Sequence, residues 1–154
     1  MKKLLVLAAA AVLTAAIATS APAAGGATLL IRHEHKGCHS WSLNGDAFAA
    51  RQTAHLSRGA SLVVVDNDVM PHLLLQRGGP KVAVHRLSGS MGSMGNMATT
   101  LRGPGLMAHM GASVEISFPR AGTYVFTTKA GEDYMSGIET VGEDNVLALK
   151  VVVA

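Results

Sequence analysis

The sequence predicts an all-β sandwich. Three observations carry that prediction: short apolar or alternating runs recur at close spacing, turn residues of the Gly, Asn and Pro kind separate them, and helical periodicity is absent. The 154 residues begin with Met1-Lys2-Lys3, an apolar stretch from Leu4 to Ile17 and the small-residue site Ala21-Pro22-Ala23, the three regions of a secretory signal peptide. Cleavage is expected after Ala23, leaving one domain over residues 24–154. The apolar core falls short of the ~20 residues a helical span needs, so no membrane span is expected after cleavage. A periplasmic or extracellular location follows.

Loss of Lys2 and Lys3 lowers the formal net charge from +3 to +1. Nucleic-acid binding thereby loses its electrostatic motive. Cys38 is the single cysteine and cannot form a disulfide within its own chain. In an oxidising compartment such a thiol pairs between molecules, reacts or binds metal.

Taken in order, the first strand is Thr28-Leu29-Leu30-Ile31-Arg32, interrupted by His33-Glu34-His35-Lys36-Gly37-Cys38-His39. Ser40-Trp41-Ser42-Leu43 alternates and ends in Asn44-Gly45, a hairpin turn signal. Thr53 to Leu56 leads through the turn Arg58-Gly59 to the buried run Leu62-Val63-Val64-Val65. A second apolar run, Leu73-Leu74-Leu75, follows. Between Gly78 and Gly111 the composition turns to Gly and Met, and a long, loosely held excursion is expected there because ordering so many glycines costs entropy. The half-buried strands Ser113 to Phe118 and Gly122 to Thr127 come next, joined by Pro119-Arg120-Ala121. Val146 to Val153 closes the chain as an apolar run expected to be central and buried on both faces.

Between the runs at Leu62 and Leu73 lies Asp66-Asn67-Asp68-Val69-Met70-Pro71-His72. Asn67 and Asp68 favour a turn by bonding their own backbone, Pro71 fixes φ and biases Met70 towards an extended form, and the imidazole of His72 is presented at one end of a sheet. Such a histidine either ligates a soft-to-borderline metal or bonds a backbone carbonyl. The stretch resembles the first ligand loop of cupredoxins, where Asn-x-x-x-Pro-His delivers a copper-binding imidazole. Phe118-Pro-Arg-Ala-Gly-Thr-Tyr-Val-Phe126 is similar to that family's penultimate strand, and the Trp41 stretch to the first hairpin of its oxidase subunit II branch. The resemblance implies a cupredoxin-like Greek-key β-sandwich from Thr28 onward.

The chain departs from the family where a Cys should follow Tyr-x-Phe and a His and a Met come after. Thr127-Thr128 stand there, the loop has no His, and only Met135 of that trio survives. The family's usual His₂Cys site with an axial Met therefore cannot come from these two loops. Cys38, among His33, His35 and His39, offers another thiolate, and some cupredoxin-like domains of periplasmic metal-uptake proteins are similar in placing a Cys early. The expected ligands are Cys38, His72 and Met135, with His39 as a substitute fourth, and the expected cofactor is copper. Each has a plainer reading: a buried small hydrophobe for Cys38, a gap-filling core residue for Met135. Met91, Met94, Met97, Met107, His109 and Met110 read as a Cu(I)-collecting arm, as packing or as a partner contact.

The function expected is copper carriage or single-electron transfer with a redox or copper-delivery protein partner. A metal-free module for protein contacts is the alternative. No Gly-x-Ser-x-Gly elbow or His-Glu-x-x-His helix frames a catalytic site, so an enzyme is not expected.

Overall fold

A computed structural model describes residues 25–33, 39–68, 70–88, 101–130 and 147–154. The strands are β1 (Ala27–His33), β2 (His39–Leu43), β3 (Arg51–Leu56), β4 (Ser61–Asp66), β5 (His72–Gly78), β6 (Ala83–Ser88), β7 (Leu106–Met107), β8 (Ser113–Ser117), β9 (Gly122–Ala130) and β10 (Ala148–Val153). They form two five-stranded sheets, ordered β2-β1-β4-β8-β6 and β3-β10-β9-β5-β7. Two ladders are parallel, β1 with β4 and β3 with β10, and the others are antiparallel. The expected all-β sandwich is the architecture found. No described helix is long and apolar enough to cross a membrane.

Period-two alternation makes the core. In β4, Leu62, Val64 and Asp66 turn inward while Val63 and Val65 stay half-buried. Leu29, Ile31, Trp41, Val114 and Ile116 join them, and Leu56, Leu74, Tyr124, Phe126, Leu149 and Val151 belong to the same buried cluster from the other sheet. The Phe-x-x-x-Gly-x-Tyr-x-Phe phrase is a structural nucleus. The Phe118 ring meets Tyr124 edge-on at 5.0 Å and Phe126 at 6.2 Å, and the Tyr124 hydroxyl donates to the Arg120 carbonyl at 2.6 Å. Gly122 supplies a φ of 146° at the turn, which a side chain would strain.

Three sequence expectations are corrected. Asn44-Gly45, at φ 51° and 85°, does not join paired hairpin strands. β2 pairs with β1, β3 belongs to the other sheet, and only a Trp41–Ala49 bridge links the two sides of the turn. The turn is a corner that moves the chain between sheets, fastened by mutual bonds between Asn44 and Thr28. β10 is central, between β3 and β9, but it is buried on one face only: Lys150 points out, because a sandwich covers a single side of each sheet. The Gly/Met excursion also contains two strands. β6 forms the far edge of the first sheet, and β7 carries the fully buried Met107 to the edge of the second. Residues 89–100 of that excursion lie outside the described residues.

Candidate metal centre

The loop between β4 and β5 is built on two carboxyl groups. Asp66 is the third inward residue of β4 and is fully buried. Its Oδ1 accepts from the Asp68 backbone N–H at 2.9 Å, and the Oδ1 of Asp68 accepts from the Met70 N–H at 3.2 Å. These successive Asx turns explain why Asp and Asn occupy this stretch: short side chains replace the missing backbone partners of a tight bend. Asn67 N–H to the Ile31 carbonyl ties the loop to β1.

His72 opens β5 and is 0% exposed. Its Nε2 lies 3.4 Å from Asp68 Oδ2, a long contact between two buried groups. A carboxylate can only accept, so Nε2 carries the proton and the Nδ1 lone pair is the one suited to a metal. In register, His72 stands opposite Ala130 of β9 on one side and Met107 of β7 on the other.

Burial raises the Asp66 carboxyl to about 9, with the charge of Asp68 adding to the rise and the N–H groups of Asp68 and His72 opposing it. At neutral pH Asp66 therefore holds its proton. Its Oδ2 makes no hydrogen bond, and neither do Trp41 Nε1 and Thr128 Oγ1, both also buried. Trp41 pairs with Ile31, which pairs with Asp66, so Trp41 and Asp66 occupy one level of the first sheet. Thr128 pairs with Leu74, two residues from His72 on the same face of the second sheet. The end of the sandwich beside His72 is thus an interior lined with unspent polar atoms. Indole N–H, protonated carboxyl and hydroxyl groups are poor donors to soft copper, so they shape the site's surroundings while His72 fits as a ligand.

The structure places the expected ligands as follows. His72 stands at a strand end, as the sequence predicts, and the structure shows it buried. Cys38 and Met135 lie outside the described residues, and of His39 only the backbone is described, opposite His33 at the start of β2. The strand ends flanking these segments, His33 and His39 for Cys38 and Ala130 for Met135, are all at the end that carries His72. Among the described residues no group of three His, Cys, Asp or Glu side chains could hold a metal. Sequence reasoning gave Asp68 only a turn role and passed over Asp66. Its inward position was nonetheless readable, since Leu62, Val64 and Asp66 share one parity.

No family model matches the chain, and no curated protein matches it. Solved structures do. A reduced mutant of amicyanin matches with 16% identity and a TM-score of 0.38, covering 81% of this chain and 80% of that one. A Cu(I) form of another amicyanin mutant matches with 13% identity and a TM-score of 0.37, over 82% of each chain. A cysteine protease inhibitor from Entamoeba histolytica matches with 11% identity and a TM-score of 0.43, covering 87% of this chain and all of that one. With scores below one half, these likenesses add nothing to the strand order, which carries the fold by itself. The fold is the two-sheet β-sandwich that this strand order describes. Its His loop joins β4 of one sheet to β5 of the other, and His72 is fully buried where the loop enters β5.

Proposed function

We propose that this protein binds copper at the His72 end of its cupredoxin-like sandwich and acts in copper carriage or single-electron transfer with a protein partner after export from the cytoplasm. The observation that carries the reading is the buried His72 with its Nε2 held at Asp68, the arrangement that orients an imidazole for a metal through its other nitrogen. The proposed ligands are Cys38, His72 and Met135, with His39 as a substitute. A thiolate, an imidazole and a thioether together select copper, Cu(I) above all, over hard cations. Bound copper would supply a one-electron couple or a deliverable ion. The chain's own part is to aim the imidazole, exclude water and hold a proton on Asp66 Oδ2 next to the site.

The reading is tested by adding Cu(I) and Cu(II) to the mature domain and recording stoichiometry and visible absorption. Cys38→Ser should abolish any thiolate-to-copper band and lower Cu(I) affinity, and His72→Ala should lower it as much. Met135→Leu should mainly retune the potential, because a thioether would be the weakest of the three donors. Unchanged binding in both Cys38→Ser and His72→Ala would remove the site and favour the metal-free module.

A further inference from the structure

His109 lies in the short link from β7 to β8. Its Nδ1 is 2.9 Å from the Met110 carbonyl oxygen, which can only accept, so in the neutral ring Nδ1 carries the hydrogen. Nε2 is then a lone-pair atom, and it is buried without any hydrogen-bond partner. A buried acceptor left unmade costs about 1–3 kcal/mol, so it calls for an occupant. The backbone that carries the ring is also held in place. Ala112 N–H closes the turn onto the His109 carbonyl at 2.9 Å, Gly111 N–H donates to the Asp66 carbonyl, and Asp66 N–H donates to that of Ala112. Two residues before His109, Met107 stands directly across from His72.

The link therefore runs from the strand partner of His72 to the backbone of Asp66, along the edge of the polar interior. Two Cα steps of 3.8 Å and one cross-strand pair keep the His109 and His72 Cα atoms within roughly 13 Å. An ion held between the two rings requires the Cα atoms to stand inside that limit. A backbone carbonyl on one ring nitrogen and an open lone pair on the other is the usual state of a metal-binding histidine.

We propose that His109 is a second imidazole donor to the copper site at His72, binding through Nε2, with Met107 as a neighbouring thioether. It supplies the histidine that the segment after β9 lacks, from a different connection of the sandwich. The inference rests on the copper-binding reading above and adds a ligand to it. Met110, about half exposed on the same link, lies outside the set.

The test is an anaerobic Cu(I) titration of the mature protein with ¹⁵N-labelled histidine, following the ring nitrogens by NMR, together with competition affinities for His109→Ala and His72→Ala. The expected result is a large shift of His109 Nε2 at one equivalent while Nδ1 keeps its carbonyl bond, and an affinity loss of about tenfold or more in both variants, at least that of losing an outer-shell partner. Copper bound with His109 Nε2 unshifted and His109→Ala within twofold of wild type would overturn the inference and leave the His72 site standing. Failure of the wild-type protein to take up Cu(I) would overturn the copper-binding reading itself. Because the NMR shift is read on the wild-type chain, misfolding of a variant does not blunt the test.

Discussion

Replacing Asp66 by Asn isolates the buried carboxyl that lies beneath the loop between β4 and β5. Its ordinary value is 3.8 and burial raises it to about 9, so between those limits the folded protein keeps a proton that the unfolded chain releases. The folded state then binds more protons than the unfolded one, and stability falls as pH rises through this window at up to about 1 to 1.5 kcal/mol per pH unit. From pH 5 to pH 8 the loss amounts to roughly 4 kcal/mol, a large part of the 5–15 kcal/mol of a typical domain. Asn retains an oxygen to accept the Asp68 N–H and an N–H in place of the carboxylic proton, but it does not titrate. Urea unfolding of the metal-free protein at several pH values should show wild-type stability falling across that range, a much flatter profile for Asp66→Asn, and greater stability of the variant at pH 8. Equal slopes in the two proteins would refute the assignment of Asp66 as a protonated buried acid.

Asp68→Asn keeps an acceptor for the Met70 N–H but presents no carboxylate to His72 Nε2. Copper affinity should fall about 10- to 100-fold with little change in urea midpoint, and an unchanged affinity would show that Asp68 does not set the ring. Gly79→Ala should destabilise the β5–β9 pairing by more than about 1 kcal/mol. The new Cβ would fall 2.8 Å from Tyr124 Cα and closer still to the Thr123 carbonyl, at a φ of +90°, and a neutral result in thermal unfolding would contradict that packing.

How much of this was legible in the sequence depended on whether the cause was local. Pro71 and the Asn/Asp turn fix the approach to His72 within seven residues, and the structure places His72 accordingly. The Phe118 to Phe126 phrase was legible because three aromatics and one glycine make their contacts within one short stretch of chain, where it crosses from β8 of one sheet to β9 of the other. Asn44-Gly45 was misread because its chemistry fixes a bend, whereas the strand that follows finds its partner, β10, almost a hundred residues away. β6 was missed because composition was weighed over the whole Gly/Met excursion. The alternation of half-buried Val82 and Val84 with exposed Lys81, Ala83 and His85 is a weak edge-strand signal that could have found it. Asp66 reads as a turn residue by type and as a core residue by parity, and burial follows the parity. His109 carries no sequence pattern of its own. Its significance comes from the Met110 carbonyl and the latch to Asp66, which only the folded chain brings together.

Copper binding at His72 is tested most directly by a crystal structure of the mature protein grown with copper, with anomalous data collected at the copper edge. The expected result is one strong peak bonded to His72 Nδ1, the nitrogen remote from Asp68, at about 2 Å, as for other imidazole–metal bonds. Copper found only at exposed histidines such as His55 or His85, with none on His72, would contradict it.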